Sequence, residues 1–197
     1  MTKLRRGIYL LPNLLTTGAL FSGFYSIVAA MNQQFESAAI AIFVAIVLDG
    51  MDGRIARLTN TQSAFGMQYD SLSDMISFGL APSLVMYQWA LFGMGKLGWL
   101  AAFVYTVCAS LRLARFNTQA TSIDRRFFQG LPSPGAAAVL GSLVWFGSSY
   151  GLIDGKMIEF ICFLVTVIVG LLMVSNIRYH SFKEFDLKNR IPFVTFL

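Results

Sequence analysis

Four of the chain's ten acidic residues, Asp49, Asp52, Asp70 and Asp74, fall between positions 49 and 74 in a stretch that is otherwise mostly apolar. An unpaired Asp at the centre of a membrane helix costs about 2.5–3.5 kcal/mol on insertion scales, so such crowding calls for a cationic partner. Asp49 and Asp52 are three residues apart and Asp70 and Asp74 four apart, which places each pair on one face of its helix. Four converging carboxylates without Lys, His or Cys among them form a hard oxygen donor set, suited to Mg²⁺, Mn²⁺ or Ca²⁺ rather than to zinc or copper. A two-metal centre is the natural expectation, because such centres clamp the attacking and leaving oxygens of a phosphoryl displacement. Gly50, Gly53, Ala56 and Gly66 leave room for a diphosphate to approach the helix backbone. Arg57, one turn beyond Gly53, is placed either to pair with an aspartate or to grip a phosphate through a bidentate contact.

The elements that carry these residues are membrane helices. Of 197 residues 56% are hydrophobic and only 13% charged, about half the charged content of an average soluble domain. Apolar runs over 14–31, 75–95, 131–153 and 160–177 are each near the roughly 20 residues a helix needs to cross a bilayer. Two more, 37–58 and 97–116, carry charges near one end, so the expected architecture is all-α with six transmembrane helices in a single domain spanning 1–197. A juxtamembrane segment over 1–12 leads in. The opening stretch does not read as a cleaved signal peptide, since its first apolar run is already span length. With residues 58 and 66 as the cytoplasmic helix ends and a rise of about 1.5 Å per residue, antiparallel neighbours bring all four aspartates to similar depth.

Thirteen of the fifteen Lys and Arg precede the first span, end the second, or lie between the fourth and fifth and after the sixth; only Lys96 and Lys156 fall in the opposite loops. This bias predicts a cytoplasmic amino terminus and a site at the cytoplasmic face of the inner membrane. It also accounts for the net charge of +5 without nucleic acid, leaving anionic membrane lipids as the nearer partner. Cys108 and Cys162 read as core thiols rather than a zinc site or disulfide. His180 reads as a surface residue, and Trp89, Trp99 and Trp145 read as interfacial anchors. The basic segment from 178 leads into a short apolar stretch at 191–197, which reads as the start of a seventh helix cut short, with an eighth beyond it.

The spacing Asp49-x2-Asp52-Gly53-x2-Ala56-Arg57-x8-Gly66-x3-Asp70-x3-Asp74 resembles the signature of the CDP-alcohol phosphotransferase family at every signature position. The resemblance implies a six-helix homodimer with a divalent-metal site at the cytoplasmic face, where an alcohol displaces CMP from a CDP-linked donor. By position it implies Asp49, Asp52, Asp70 and Asp74 as metal ligands, with Asp74 also the general base. It gives Asp52, Gly53, Ala56, Arg57 and Gly66 as the CDP pocket. Pro12-Asn13-x2-Thr16 resembles the family's first-helix entrance and adds Asn13 and Thr16 to the nucleotide side. Residues 5–13, 69–74, 111–117 and 128–134 are similar to a bacterial and archaeal membrane-integral branch, implying CDP-diacylglycerol as donor and L-serine as acceptor.

A serine hydroxyl is a poor nucleophile at neutral pH, and a carboxylate within hydrogen-bond reach can take its proton as attack proceeds. Direct transfer is the favoured route over a covalent aspartyl intermediate with ping-pong kinetics. The serine carboxylate needs a cation; Arg112 and Arg115 are placed to supply one, or to act only as anchors at the cytoplasmic face. Gln129, in the 127–134 connection, offers hydrogen bonds to the acceptor if that loop closes over it. Three alternatives remain: a different acceptor such as glycerol 3-phosphate or an inositol phosphate, a divalent-cation transporter, and a non-catalytic scaffold. A transporter would need an aqueous route to both faces, whereas these acids gather toward one.

Overall fold

The computed structural model describes residues 3–59, 61, 63–119, 127–151, 155–176 and 178–180. Among these residues six helices follow one another: α1 (Lys3–Met31), α2 (Phe35–Leu58), α3 (Ala64–Met94), α4 (Lys96–Gln119), α5 (Ser133–Ser149) and α6 (Lys156–Val174). Four of them, in α1, α3, α4 and α6, are long and apolar enough to cross a membrane. The described residues are therefore those of a predominantly helical integral membrane protein. Helix runs from Lys3, and α3 begins at Ala64, two residues before the helix end placed at 66 from the sequence, so the turns that carry Asp70 and Asp74 are continuous with the span. Ser63 caps α3 by accepting the Gly66 amide at 2.9 Å, which satisfies one of the orphan donors of its first turn.

Between α1 and α2 the chain reverses through Gln33, the one described non-glycine residue with positive φ (61°). The Gln33 amide reaches the Ala30 carbonyl and the Gln34 amide the Ala29 carbonyl, each at 2.9 Å. This double closure of a helix end turns α2 back along α1. Small residues make the approach close: Ala29 and Ala30 of α1 and Ala38, Ala39 and Ala45 of α2 all lie in the core, as expected where helices associate by packing rather than by hydrophobic exclusion.

α3 is the central helix. Its apolar window is 56% buried within the protein, against 28–39% for the other three candidate spans, and it packs against α1, α4, α5 and α6. It is not uniformly α-helical: π-helical turns at Met75–Leu80 and Tyr87–Leu91 flank an α-helical stretch, Ala81–Met86, that contains Pro82. Proline has no amide hydrogen to give the turn below it, and freed carbonyls in an apolar interior need other donors. The Tyr105 hydroxyl, fully buried on α4, donates to the Phe78 carbonyl at 3.1 Å. At Gly23 α1 comes so close that a Cβ there would stand 2.7 Å from Ser77 Cα.

Trp89 departs from the expected interfacial position. It is 6% exposed, its ring seated against Gly147 of α5, where a Cβ would stand 2.1 Å from Trp89 Cζ2. The missing side chain makes the slot that draws the indole inward, while Trp99 and Trp145 remain exposed. Cys108 and Cys162 are free and buried, as expected. The 127–134 connection is not wholly loop: β1 (Phe127–Gln129) pairs antiparallel with β2 (Arg178–His180), Phe127 opposite His180. Strands of three residues show no periodicity to read. Gly130 follows at φ 78° with its Cα turned against the Met173 carbonyl, and the Leu131 amide donates to Leu172 O at 3.0 Å. The seventh-helix expectation lies outside the described residues.

Candidate active site

α1 runs antiparallel to α2 and parallel to α3, as contacts between side chains show. Thr16 meets Asp52 and Gly18 faces Leu48 on one side. On the other, Thr17 meets Tyr69 and the Ser77 hydroxyl donates to the Ala19 carbonyl. α1 thereby holds α2 and α3 in the antiparallel arrangement that the aspartate spacing requires.

Ligand oxygens of Asp49, Asp70 and Asp74 lie within 4.8 Å of one another, one from each carboxylate, all half-buried. Asp52, 5% exposed, adds its charge beside this trio, but its Oδ2 accepts a hydrogen bond from Thr16 Oγ1 at 2.6 Å. Three of the four expected ligands thus converge directly and the fourth is turned toward α1. Asp70 Oδ1 is buried with no hydrogen-bond partner among the described residues. A buried carboxylate oxygen without a donor is costly, and gathering further negative charge around it is understandable only if a cation completes the group. The donor set is all carboxylate, so the residues present fit a hard divalent ion such as Mg²⁺ or Mn²⁺.

The glycines sit where the expected pocket needs space. A Cβ at Gly53 would meet only the Arg57 guanidinium, at 4.0 Å, and one at Gly66 would stand 3.1 Å from Ser63 Oγ and 3.6 Å from Asn13 Oδ1. Asn13 is therefore beside Gly66, across from α3's first turn. Ala56 is half-buried, and Arg54 and Arg57 are exposed.

On α4, Arg112 Nη1 donates to Ser133 Oγ at 2.9 Å, and its Nε is buried without a partner among the described residues. Asp74 is close enough to act on its charge. Arg115 Nη1 is engaged elsewhere, donating to the Val174 carbonyl at 3.1 Å and to Asn176 Oδ1 at 3.4 Å; it ties α4 to the end of α6. Gln129 lies on β1, its side chain outside the described residues.

Several polar groups at the site had no assigned part in the sequence reading. Ser73 donates to the Thr16 carbonyl at 3.2 Å, Tyr69 pairs with Thr17 at 2.8 Å, and Ser71 donates to Asn117 Oδ1 at 3.1 Å. Their only sequence signal is hydroxyl density around the aspartates in otherwise apolar helices; which partner each meets depends on the neighbouring helix.

The chain that carries this paired-aspartate site, on two antiparallel helices braced by a third, is matched by a family model. Residues 9–181 match that of CDP-alcohol phosphatidyltransferase, and the chain belongs to this family. Several curated relatives carry one description, CDP-diacylglycerol–serine O-phosphatidyltransferase. That of Helicobacter pylori (strain ATCC 700392 / 26695) is 41% identical over 178 residues, covering 90% of this chain and 74% of the relative. That of Bacillus subtilis (strain 168) is 32% identical over 179 residues, covering 91% and 94%. That of Mycobacterium leprae (strain TN) is 36% identical over 185 residues, covering 86% of this chain and 58% of the relative.

Proposed function

We propose that this protein transfers the phosphatidyl group of CDP-diacylglycerol to the hydroxyl of L-serine, releasing CMP, with the whole chain forming one membrane-embedded catalytic domain. The observation that carries the reading is the convergence of Asp49, Asp70 and Asp74, with Asp70 Oδ1 buried and without a hydrogen-bond partner among the described residues, in a chain whose relatives are described by that activity. One or two Mg²⁺ or Mn²⁺ ions, held by Asp49, Asp52, Asp70 and Asp74, would neutralise charge on the diphosphate and on the departing CMP.

The chain's own residues do the rest. Gly53, Ala56 and Gly66 let the diphosphate lie against the helix backbone, Arg57 grips a phosphate oxygen, and Asn13 and Thr16 close the nucleotide side from α1. Asp74 takes the serine hydroxyl proton as its oxygen attacks the phosphorus bearing diacylglycerol, and the bond to CMP breaks. Arg112 meets the serine carboxylate and Gln129 adds to the acceptor side, while Arg115, expected there from the sequence, braces α4 against the end of α6. All six helices cross the inner membrane, with the amino terminus and the site cytoplasmic, and two copies form a homodimer. α5, at about 25 Å for 17 residues, and the charged end of α2 are compatible with crossing when their polar groups face the protein.

Membranes carrying the protein, supplied with CDP-diacylglycerol and labelled serine, are expected to form labelled phosphatidylserine and CMP. EDTA is expected to stop the reaction and Mg²⁺ or Mn²⁺ to restore it. Incorporation of glycerol 3-phosphate but not serine would sink the acceptor assignment, and metal uptake into sealed vesicles without CMP release would sink transfer altogether.

A further inference from the structure

Asp52 and Thr16 are both buried, 5% and 4% exposed, and the 2.6 Å between Asp52 Oδ2 and Thr16 Oγ1 lies in the range of a charge-assisted O–H···O⁻ bond. The Thr16 hydroxyl has one proton and two acceptors in reach, the other being the Pro12 carbonyl at 3.1 Å. Within a helix that carbonyl faces the Thr16 amide already, so the carboxylate, shorter and charged, takes the hydroxyl proton. The backbone of the same residue is held from the other side: the Thr16 carbonyl accepts from Ser73 Oγ, one position before Asp74. Thr16 thus touches α2 through its side chain and α3 through its carbonyl, at the level where the two aspartate pairs meet.

We infer that Thr16 is a positioning residue: its hydroxyl holds Asp52 Oδ2, leaving Oδ1 as the single oxygen that Asp52 presents to a divalent cation. The inference rests on the metal reading above. It separates Asp52 from Asp49, Asp70 and Asp74, whose oxygens converge without such a tether. Groups that orient a metal ligand from behind are worth about 10–100-fold in metal affinity.

The test is Mn²⁺ binding to the full chain in detergent, followed by the electron paramagnetic resonance of free Mn²⁺, with no substrate present. Thr16→Val keeps the shape but removes the donor, and is expected to raise the Mn²⁺ binding midpoint about tenfold. Thr16→Ser restores the hydroxyl and is expected to return the midpoint to within about threefold of wild type. In an Asp52→Asn background, Thr16→Val is expected to add nothing. A midpoint unmoved by Thr16→Val, a Ser variant no better than Val, or full additivity with Asp52→Asn would each overturn the positioning role while sparing the metal site. Wild-type protein that takes up no Mn²⁺ would overturn the metal reading and this inference with it.

Discussion

Asp74 stands in two relations at once, its oxygen within 4.8 Å of ligand oxygens from Asp49 and Asp70 and its charge acting on Arg112. That position, between the carboxylates of the proposed metal site and Arg112 of α4, is where the proposed base must be to reach an acceptor hydroxyl whose carboxylate is held by a guanidinium. Asp74→Asn conserves size and removes the basic oxygen. CMP release at saturating Mn²⁺ is expected to fall by about 10²-fold or more. Full retention of that rate would remove Asp74 as base and leave its place among the metal ligands to be tested by Mn²⁺ binding.

The helices are positioned by what is missing as much as by what is present. Gly147 on α5 accommodates Trp89 of α3, and an alanine there would stand 2.1 Å from the indole in a core with no slack. Gly147→Ala gains up to about 1 kcal/mol of helix propensity, but displacing a buried ring costs about 1–3 kcal/mol, so the clash is expected to win. The melting midpoint in detergent, followed through exposure of the buried Cys108 and Cys162 thiols, is expected to drop by several degrees. Gly141 on the same helix is the control: its added Cβ would meet Phe43 and Ile42 at an ordinary 3.5–3.6 Å, so Gly141→Ala is expected to be neutral or stabilising. Equal losses at both positions would show that the Trp89 slot is not what fixes α3 against α5.

For the whole molecule, the two ends of the bundle differ in chemistry. The aspartates, Arg54, Arg57, Arg112 and Arg115 gather at one end, while Lys96 and Lys156 are exposed at the other, near where Gly93 of α3 lies against Glu159 of α6. With Cys108 and Cys162 replaced, single cysteines at Lys96→Cys and Lys156→Cys are expected to react with a membrane-impermeant maleimide on intact cells. Arg54→Cys is expected to react only after permeabilisation. The reverse pattern would put the site on the outer face and contradict the orientation drawn from basic residues.

The helical, membrane-embedded character of the chain and the two aspartate pairs were legible in the chain itself. Helix length and apolarity are one-dimensional in a bilayer, and i, i+3 and i, i+4 spacings fix a shared face without knowledge of a partner. The family followed from the aspartates and the Gly53, Ala56, Arg57 and Gly66 spaced among them, because a site built on two consecutive helices leaves its residues close in sequence. What needed the tertiary structure was every relation across helices. Asp52 turns to Thr16, Asp70 Oδ1 has no donor among the described residues, and Arg112 and Arg115, three apart and alike in sequence, part toward Ser133 and Val174. Trp89 went inward against a glycine 58 positions away, and two three-residue strands paired across 50 residues. Each depends on which neighbour a side chain meets, a matter of packing and register that local spacing does not encode.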